Sequence, residues 1–311
     1  MSVVIPAFNA SDWMRATLAS VTSQSWKELE VVVVDDGSFD STADIVEVCR
    51  DSRVRLIKQE NKGAAAARNR GVRETGGDFV QFLDADDLLG RDKIRLQVES
   101  LNNAEENAIA SAEWGRFVND ENEATFEPEP VWTEENPVSW IVRSMSGEGM
   151  MQPAAWLTPR SLITLAGKWD ETLTLHDDGE YFTRVLLNAR RNVFVPGARV
   201  YYRDVESSLS RRRGRAAVVS AFSVSRARHA HLLAVRDDNA ARRAIATQYA
   251  QFVYEHGAVA PDLMDEAMRA MSELDARPLA RVGGRVFRGL TSALGFRSAM
   301  KLRMLATGGR K

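Results

Sequence analysis

The sequence predicts an α/β fold with a mixed, mostly parallel sheet flanked by helices and followed by a helical C-terminal region. Strand-like and helix-like segments alternate over the first hundred residues, an order that favours right-handed crossovers and a parallel sheet. Two apolar runs, Val31–Val34 and Phe82-Leu83, end abruptly in carboxylates. Such runs are typical of buried strands that deliver acidic side chains to the ligand-binding edge of an open sheet.

Each element follows from a local pattern. Ser2–Ile5 is an apolar strand, and Ser11 or Asp12 is positioned to cap the helix that follows it. Ser41 and Asp44 resemble a capping box, with Asp replacing the usual Glu. The remaining predictions are strands at 31–34, 54–57 and 79–83, helices at 64–75 and 93–101, and C-terminal helices at 216–235, 240–256 and 261–274.

Composition indicates an ordinary globular protein. The chain has 311 residues, 44% of them hydrophobic and 27% charged, which is enough for one sizeable α/β domain and an appendage. A single cysteine, Cys49, excludes an internal disulfide framework and a cysteine-based zinc site. The sequence shows no signal peptide and no apolar run of transmembrane length, so we expect a cytoplasmic protein.

Charge divides the chain near residue 210. Residues 1–210 carry 22 Lys+Arg against 35 Asp+Glu, a net charge of −13, whereas 211–311 carry 19 against 8, a net charge of +11. The segment 277–311 contains basic and apolar residues but no acidic ones. It suits either peripheral contact with the anionic inner face of the cell membrane or packing on the acidic N-terminal part, and the sequence favours neither. Nucleic acid is not an expected partner, because the basic stretch has few aromatic residues.

The acidic strand ends predict a site for a metal ion and a diphosphate. No G-x-G-x-x-G follows the first strand, which instead ends in Pro6-Ala7-Phe8-Asn9, and no G-x-x-x-x-G-K-[ST] occurs. Carboxylates repel a diphosphate unless a hard cation lies between them. Asp84 and Asp86 supply the oxygen ligands that Mg²⁺ or Mn²⁺ prefers, and their spacing along a strand end directs both to one side.

Several short segments, in this order, resemble the family 2 glycosyltransferases of the GT-A fold. They lie within residues 2–210 and are Ser2-Val3-Val4-Ile5-Pro6-Ala7-Phe8-Asn9, Val34-Asp35-Asp36-Gly37-Ser38, Lys62-Gly63-x4-Arg68-Asn69-x-Gly71, Asp84-Ala85-Asp86, Gly167-Lys168-Trp169-Asp170-Glu171 and Asp177-Asp178-x5-Arg184. One D-x-D is common by chance, whereas several motifs in family order are specific. The resemblance implies a GT-A catalytic domain at 1–210, with a nucleotide-binding half at 1–112 and an acceptor and base half at 113–210. A basic helical region follows at 211–311.

The resemblance also implies a role for each matched residue. Pro6, Phe8 and Asp36 would line the base and ribose pocket, with Asp36 accepting a hydrogen bond from the pyrimidine. Arg68 would face the nucleotide or its diphosphate, where a guanidinium forks onto phosphate oxygens. The other implied donor contacts are Asn9, Asp35, Asp84 and Ala85, the metal ligands are Asp84 and Asp86, and the catalytic base is Asp178.

Acceptor contacts are specified less closely. Trp140 and Trp156 are candidate sugar platforms and Asp177 is a candidate acceptor contact, although indole rings more often fill cores. Where many relatives carry R-x-H after the base motif, this chain has Arg203-Asp204-Val205. A histidine ligand for the metal is therefore not implied.

The resemblance thus implies a metal-dependent, inverting, hexosyltransferase-like enzyme that uses Mn²⁺ or Mg²⁺. It would move a sugar from a nucleotide diphosphate sugar, with a UDP-sugar favoured, to a hydroxyl of a glycan or lipid-linked glycan in cell-surface polysaccharide synthesis. Such a transfer requires a carboxylate that takes the proton of the attacking hydroxyl. Two alternatives stay open: a sugar-nucleotide-binding protein without turnover, and a nucleotidyltransferase, whose usual glycine-rich N-terminal loop is absent here.

Overall fold

The computed structural model of the chain describes residues 1–205, 214–279 and 281–307. The chain divides into two compact units. The first unit comprises Met1–Pro137 and Met151–Arg211, and the second comprises Val138–Met150 and Arg212–Lys311. The arginine run at 211–213, near which the charge pattern places a boundary, lies outside the described residues. The internal segment 138–150 belongs with the C-terminal unit, which no sequence pattern indicates.

Strands and helices alternate along the first unit as predicted. The strands are β1 (Ser2–Ala7), β2 (Glu30–Asp35), β3 (Val54–Lys58), β4 (Phe79–Phe82), β5 (Leu88–Leu89), β6 (Ala108–Phe117), β7 (Thr158–Pro159) and β8 (Arg191–Arg203). The α-helices of the two units are α1 (Met14–Thr22), α2 (Thr42–Glu47), α3 (Ala64–Arg73), α4 (Lys93–Asn102), α5 (Pro137–Met145), α6 (Arg160–Ala166), α7 (Asp177–Asn188), α8 (Arg215–Val235), α9 (Asn239–His256), α10 (Pro261–Glu273), α11 (Arg285–Leu294) and α12 (Phe296–Thr307).

Five strands of the described chain form the main sheet, in the order β3-β2-β1-β4-β7. β1 pairs in parallel with β2 and β4, β2 pairs in parallel with β3, and β7 runs antiparallel to β4. This arrangement confirms the predicted mixed, mostly parallel sheet. Because parallel neighbours end at the same edge, the loops after β1, β2 and β4 meet there. Ala7 pairs with Asp35 in the last rung between β1 and β2.

The central strands are fully buried, as strands covered on both faces are. Val3–Ile5 and Val31–Val34 have no exposed surface. Helix α3 packs closely on β1, since a Cβ atom added to Gly71 would lie only 2.3 Å from Cγ1 of Val4. Glycine at 71 therefore sets how closely α3, which carries Arg68, approaches the sheet.

A smaller sheet anchors the acidic segment, residues 84–87, which follows β4. Its described strands are ordered β5-β8-β6, with β6 parallel and β5 antiparallel to β8. The register between β6 and β8 shifts at Ala112 and Glu113, as at a β-bulge. β5 begins directly after the acidic segment, and its Leu88 pairs with Tyr201 of β8. The end of β8 is thereby held beside the acidic segment.

The second unit is helical, as predicted. Helices α8, α9 and α10 fall close to the predicted ranges 216–235, 240–256 and 261–274. Asp238 caps α9 by accepting a hydrogen bond from the Ala241 N–H at 2.8 Å. Phe222 of α8 packs against Phe252 of α9, with ring centroids 5.2 Å apart.

Within the second unit, Glu148 ties the segment 138–150 to the basic tail. Its carboxylate accepts from Arg143 Nε at 2.7 Å and lies 2.9 Å from Nη1 of Arg281. No helix in the described part of the chain is both long enough and apolar enough to cross a membrane.

Candidate functional site

Asn9 joins the loops that follow β1 and β2. Its backbone is left-handed, with a φ of 49°, a conformation that asparagine tolerates better than most residues. Its N–H donates to Ser38 Oγ at 2.9 Å, and its Oδ1 accepts from the Phe39 N–H at 3.1 Å. Asn9 thus holds the edge of the sheet together, and its contact with a donor stays a prediction.

Asp36 holds the segment that leads into α3. Its Oδ1 accepts from Gln59 Nε2 at 2.7 Å and from the Lys62 N–H at 2.9 Å, and its Oδ2 accepts from the Gly63 N–H at 2.8 Å. Gly63 has a φ of 90°, which favours glycine at this entry to the helix. Sequence patterns did not indicate this role. The predicted bond from Asp36 to a pyrimidine is not tested.

The neighbouring Asp35 is buried with an unused acceptor. The residue is 4% exposed, and among the described residues its Oδ1 has no hydrogen-bond partner. A buried carboxylate oxygen without a donor is unfavourable. Its position at the ligand-binding edge suits a hydrogen bond from a bound molecule.

Two aromatic rings project at this edge. Phe8 is 45% exposed and Phe39 is 85% exposed, and their rings meet edge to face with centroids 5.8 Å apart. Large apolar side chains at such exposure offer a surface on which a nucleobase stacks. Pro6, also predicted to line the pocket, is buried in β1. Phe39 was not singled out from sequence, although an aromatic residue inside a polar turn is a signal that could have identified it.

The acidic segment after β4 crowds three carboxyl groups. Burial raises the pKa of Asp86 to about 6, and the charge of Asp84 adds to the shift. Burial also raises the pKa of Asp87 well above its usual value, with Asp86 and Asp84 contributing. The backbone of the segment is fixed by Thr17, whose hydroxyl donates to the Ala85 carbonyl at 2.8 Å. A cation would relieve this concentration of negative charge.

The donor set fits a divalent cation that shares its coordination with phosphate. No three His, Cys, Asp or Glu side chains in the described ranges are grouped to hold a metal by themselves. Mg²⁺ and similar ions are often held by one or two carboxylates together with substrate phosphates and water. Asp84 and Asp86 supply such carboxylates, and burial together with the charge of Asp84 raises the pKa of Asp86.

Arg203 supports the acidic segment from β8. Its N–H donates to Asp87 Oδ1 and its Nε donates to the Asp86 carbonyl, both at 2.9 Å. Its guanidinium lies 4.6 Å from the ring centroid of Trp13 and 4.3 Å from that of Phe117. The arginine of Arg203-Asp204-Val205 therefore fixes the loop that carries Asp86, a role that the sequence did not reveal.

Arg68 connects the acidic segment to the start of α7. Its Nη2 donates to Asp84 Oδ1 at 2.7 Å and its Nη1 donates to Asp177 Oδ2 at 2.9 Å. The residue is 5% exposed, and its guanidinium lies 4.5 Å from the ring centroid of Trp169. Burial opposes its charge, but Asp84 and Asp177 outweigh burial and raise the pKa of Arg68. The predicted contact of Arg68 with nucleotide or diphosphate is not tested, and the observed partners are carboxylates.

The predicted base, Asp178, lies in the first turn of α7. The residue before the helix, His176, is left-handed with a φ of 58°. Asp177 and Asp178 are both partly exposed. Burial raises the pKa of Asp177, Arg68 opposes this effect, and Asp178 and Asp84 add to it. Arg68 thus holds the carboxylate of Asp177, and the partly exposed carboxylate of Asp178 lies next to it in the chain.

Arg184, the trailing arginine of the base motif, has a structural role. Its Nε and Nη2 bind the two oxygens of Glu180 at 2.6 and 2.8 Å, and Nη2 also donates to the Lys168 carbonyl at 2.9 Å. Its Nη1 donates to the Ala166 carbonyl. Two matched motifs, at 167–171 and 177–184, are therefore bound to each other through one guanidinium.

The two candidate sugar platforms are buried. Trp156 is 1% exposed and stacks on Phe182, with centroids 5.6 Å apart. Trp140 is also buried, in helix α5. Neither indole presents a free face in this structure, so the geometry favours packing for both, and their contact with an acceptor stays a prediction.

Comparison with known proteins finds a family match for the N-terminal part of the chain. Residues 2–140 match the sequence description "Glycosyl transferase family 2". An uncharacterized glycosyltransferase of Rickettsia felis is 39% identical over 100 residues, which are 32% of this chain and only 17% of that protein. Glycosyltransferase GlyG of Streptococcus pneumoniae is 25% identical over 223 residues, covering 68% of this chain and 73% of GlyG. These matches confirm the family resemblance.

The fold matches a solved structure over nearly the whole chain. The crystal structure of S. aureus TarS 1-349 in complex with UDP-GlcNAc superposes with a TM-score of 0.73 and 19% identity, covering 99% of this chain and 91% of that one. At this identity the match establishes the fold alone. It confirms the predicted GT-A architecture.

Proposed function

We propose that this chain, which carries a glycosyl transferase family 2 domain at residues 2–140, is an inverting glycosyltransferase acting from a nucleotide diphosphate sugar. One observation carries the proposal: Arg68 bonds both Asp84 of the acidic segment and Asp177 beside Asp178. The expected cation ligands and the expected base therefore belong to one connected site. The transfer needs both, because one group of carboxylates serves the leaving diphosphate and another takes the proton of the nucleophile.

The donor half of the site would hold the nucleotide. Phe8 offers an exposed ring to the base, and Asp35 offers a buried acceptor to a base or ribose donor. A Mn²⁺ or Mg²⁺ ion held by Asp84 and Asp86 would neutralise the diphosphate as it leaves. Arg203 and Thr17 keep the segment that carries these carboxylates in place.

The acceptor half would activate a hydroxyl. In an inverting transfer the hydroxyl oxygen attacks the anomeric carbon opposite the diphosphate, so that one carbon–oxygen bond forms as the other breaks. Asp178 takes the hydroxyl proton, and the electrons of the broken bond leave with the nucleoside diphosphate. Asp177, held by Arg68, keeps the first turn of α7 near the donor half.

A UDP-sugar is the donor that we propose, and a glycan or lipid-linked glycan of cell-surface polysaccharide synthesis is the acceptor class. Support for the donor comes from the TarS structure, which is a complex with UDP-GlcNAc and shares this fold. A hydroxyl acceptor matches the presence of a carboxylate suited to proton removal.

Peripheral membrane contact is proposed for the tail at 277–311. Its described helices expose apolar and basic side chains together, and these are Val286, Leu294, Leu302, Leu305, Arg285, Arg288 and Lys301. Such a surface attracts anionic lipid headgroups while its apolar groups enter the interface.

Flotation with phosphatidylserine vesicles tests whether the tail binds an anionic membrane. Binding that is lost in high salt and in Arg285→Glu/Arg288→Glu supports it, and equal recovery with neutral phosphatidylcholine vesicles contradicts it.

Calorimetric titration tests the donor site directly. UDP, GDP, dTDP and CDP are titrated into the wild type and Asp86→Ala, with and without Mn²⁺. We expect UDP to bind the wild type with a requirement for Mn²⁺ and for Asp86. Absence of binding by all four nucleotides would reject the proposed donor class.

Turnover separates the proposed enzyme from its two alternatives. UDP-glucose, UDP-galactose and UDP-GlcNAc serve as the probes, and released products are quantified. A binding protein without turnover would leave the probes intact, and a nucleotidyltransferase would produce pyrophosphate when supplied with UTP and a sugar phosphate. The proposal expects UDP release that Asp178→Asn abolishes while UDP still binds.

A further inference from the structure

Arg68 is a single buried cation shared between two carboxylates from distant parts of the chain. Its bonds to Asp84 and Asp177 are 2.7 and 2.9 Å long, and its side chain is 6% exposed. Two negative charges thus face one positive charge in a poorly solvated place. Any change in the charge of one carboxylate must alter the attraction between Arg68 and the other.

Arg68 is also fixed so that it cannot move far in response. Its guanidinium lies over Trp169, whose ring stacks on Tyr181 of α7 at a centroid separation of 4.0 Å and an interplanar angle of 10°. The adjacent Asn69 accepts a hydrogen bond from the Trp169 N–H and donates one to the Trp169 carbonyl. Because the guanidinium is fixed, a change in its attraction to Asp177 acts on the first turn of α7, which carries Asp177.

We propose that Arg68 is a positioning residue that transmits occupancy of the donor site at Asp84 to the first turn of α7, which carries Asp178. The inference rests on the proposed function, because it takes Asp84 to be neutralised when a nucleotide and its cation bind. When the charge of Asp84 is neutralised, Asp84 attracts the Arg68 guanidinium less strongly, and Asp177 becomes its main charged partner. The Arg68–Asp177 bond strengthens, and the first turn of α7 becomes more ordered when the donor is present.

Lysine at position 68 is the informative substitution. It keeps the positive charge but lacks the planar fork, so it does not reproduce two directed bonds to separate carboxylates. Asp177→Asn is the complementary variant, since it leaves Arg68 and its bond to Asp84 in place. Arg73→Lys is the matched control, because Arg73 lies on the same helix and is exposed.

Hydrogen exchange supplies a readout that does not depend on turnover. Exchange of peptides covering 177–184 is measured for each variant with and without UDP and Mn²⁺, and calorimetry measures binding in parallel. In the wild type and Arg73→Lys, we expect UDP with Mn²⁺ to slow exchange in these peptides by about fivefold. In Arg68→Lys and Asp177→Asn we expect no such change when each variant is saturated with UDP and Mn²⁺ according to its calorimetric titration.

The outcomes separate this inference from the proposed function. If the wild type binds no UDP by calorimetry, the proposed function fails and the coupling fails with it. If the wild type binds UDP without slower exchange at 177–184, or if both variants retain the slowing, only the coupling is overturned. A loss of UDP binding in Arg68→Lys with unchanged binding in Asp177→Asn would instead make Arg68 a direct nucleotide contact.

Discussion

Asn69 and Trp169 are paired through reciprocal hydrogen bonds, although 100 residues separate them in the chain. Asn69 Oδ1 accepts from the Trp169 N–H at 2.9 Å, and its Nδ2 donates to the Trp169 carbonyl at 3.0 Å. The same Nδ2 donates to Glu171 at 2.8 Å. These bonds hold the segment 167–171 on α3 next to Arg68, so the two matched motifs form one wall of the site.

Asn69→Ala should destabilise the first unit. The substitution leaves a buried backbone N–H and carbonyl of Trp169 without partners, which we expect to lower the free energy of unfolding by about 3 kcal/mol. Urea unfolding monitored by circular dichroism measures the change. Asn103→Ala is the control, because that side chain donates to the Glu99 carbonyl on an exposed surface. Similar losses in the free energy of unfolding for Asn69→Ala and Asn103→Ala would contradict the structural role assigned to Asn69.

Gly71→Ala should be destabilising because the new methyl group meets Val4 at 2.3 Å. We expect a loss of about 1–3 kcal/mol, typical of overpacking against a buried strand. Gly76→Ala is the control, since nothing lies within 4 Å of a Cβ at that position. Adding Val4→Ala to Gly71→Ala should recover part of the lost stability if contact with Val4 is the cause, and no recovery would argue against it.

Asp86→Asn should stabilise the metal-free protein and remove its response to metal. Burial and the charge of Asp84 raise the pKa of Asp86 to about 6, so at neutral pH its charge opposes folding by about 3 kcal/mol. Thermal unfolding in EDTA should therefore show a higher Tm for the variant than for the wild type. Adding UDP with Mn²⁺ should raise the Tm of the wild type alone. Asp78→Asn is the control, because Asp78 is exposed. A Tm of Asp86→Asn in EDTA at or below that of the wild type would contradict the prediction.

Lys93 should make the free energy of unfolding depend on pH in the alkaline range. It has no exposed surface, and its Nζ donates to the Gln81 amide oxygen. Burial lowers the pKa of Lys93 well below its usual value. Between that lowered pKa and the unfolded value of about 10.4, the unfolded chain binds more protons, so stability rises with pH.

Unfolding of the wild type and Lys93→Met at pH 7, 8, 9 and 10 checks this expectation. The wild type should gain stability relative to the variant with a slope of at most about 1.4 kcal/mol per pH unit. Lys168→Met is the control, because Lys168 is exposed. A constant difference between wild type and Lys93→Met across this range would show that the lysine is already equally protonated in both states.

Much of the donor half could be predicted because its signals are local. Four consecutive valines before Asp35 and an apolar run before Asp84 indicate buried strands, and alternation with helices makes those strands parallel. Parallel neighbours place their carboxyl ends at one edge, so the meeting of the acidic loops follows without knowledge of side-chain contacts.

The partners of individual charges could not be predicted in the same way. The resemblance implies that Arg68 faces the nucleotide or its diphosphate, which stays a prediction, but no sequence pattern indicates its bonds to Asp84 and to Asp177, which lies 109 residues away. Asp36 binds the backbone at 62–63, and Arg203 supports the acidic segment from another sheet. Each of these bonds forms only because folding brings two distant segments within hydrogen-bond distance, and no local sequence pattern indicates which segments meet.

The sequence by itself determined the strands, their acidic ends and the resemblance to family 2 glycosyltransferases, because apolar periodicity and ordered motifs are properties of short segments. Only the tertiary structure decided that Asp84 and Asp177 share one guanidinium, that Phe39 joins Phe8 at the edge, and that 138–150 belongs with the C-terminal unit. The physical reason is that charge pairing and packing act over short distances in space, and the folded chain alone sets those distances.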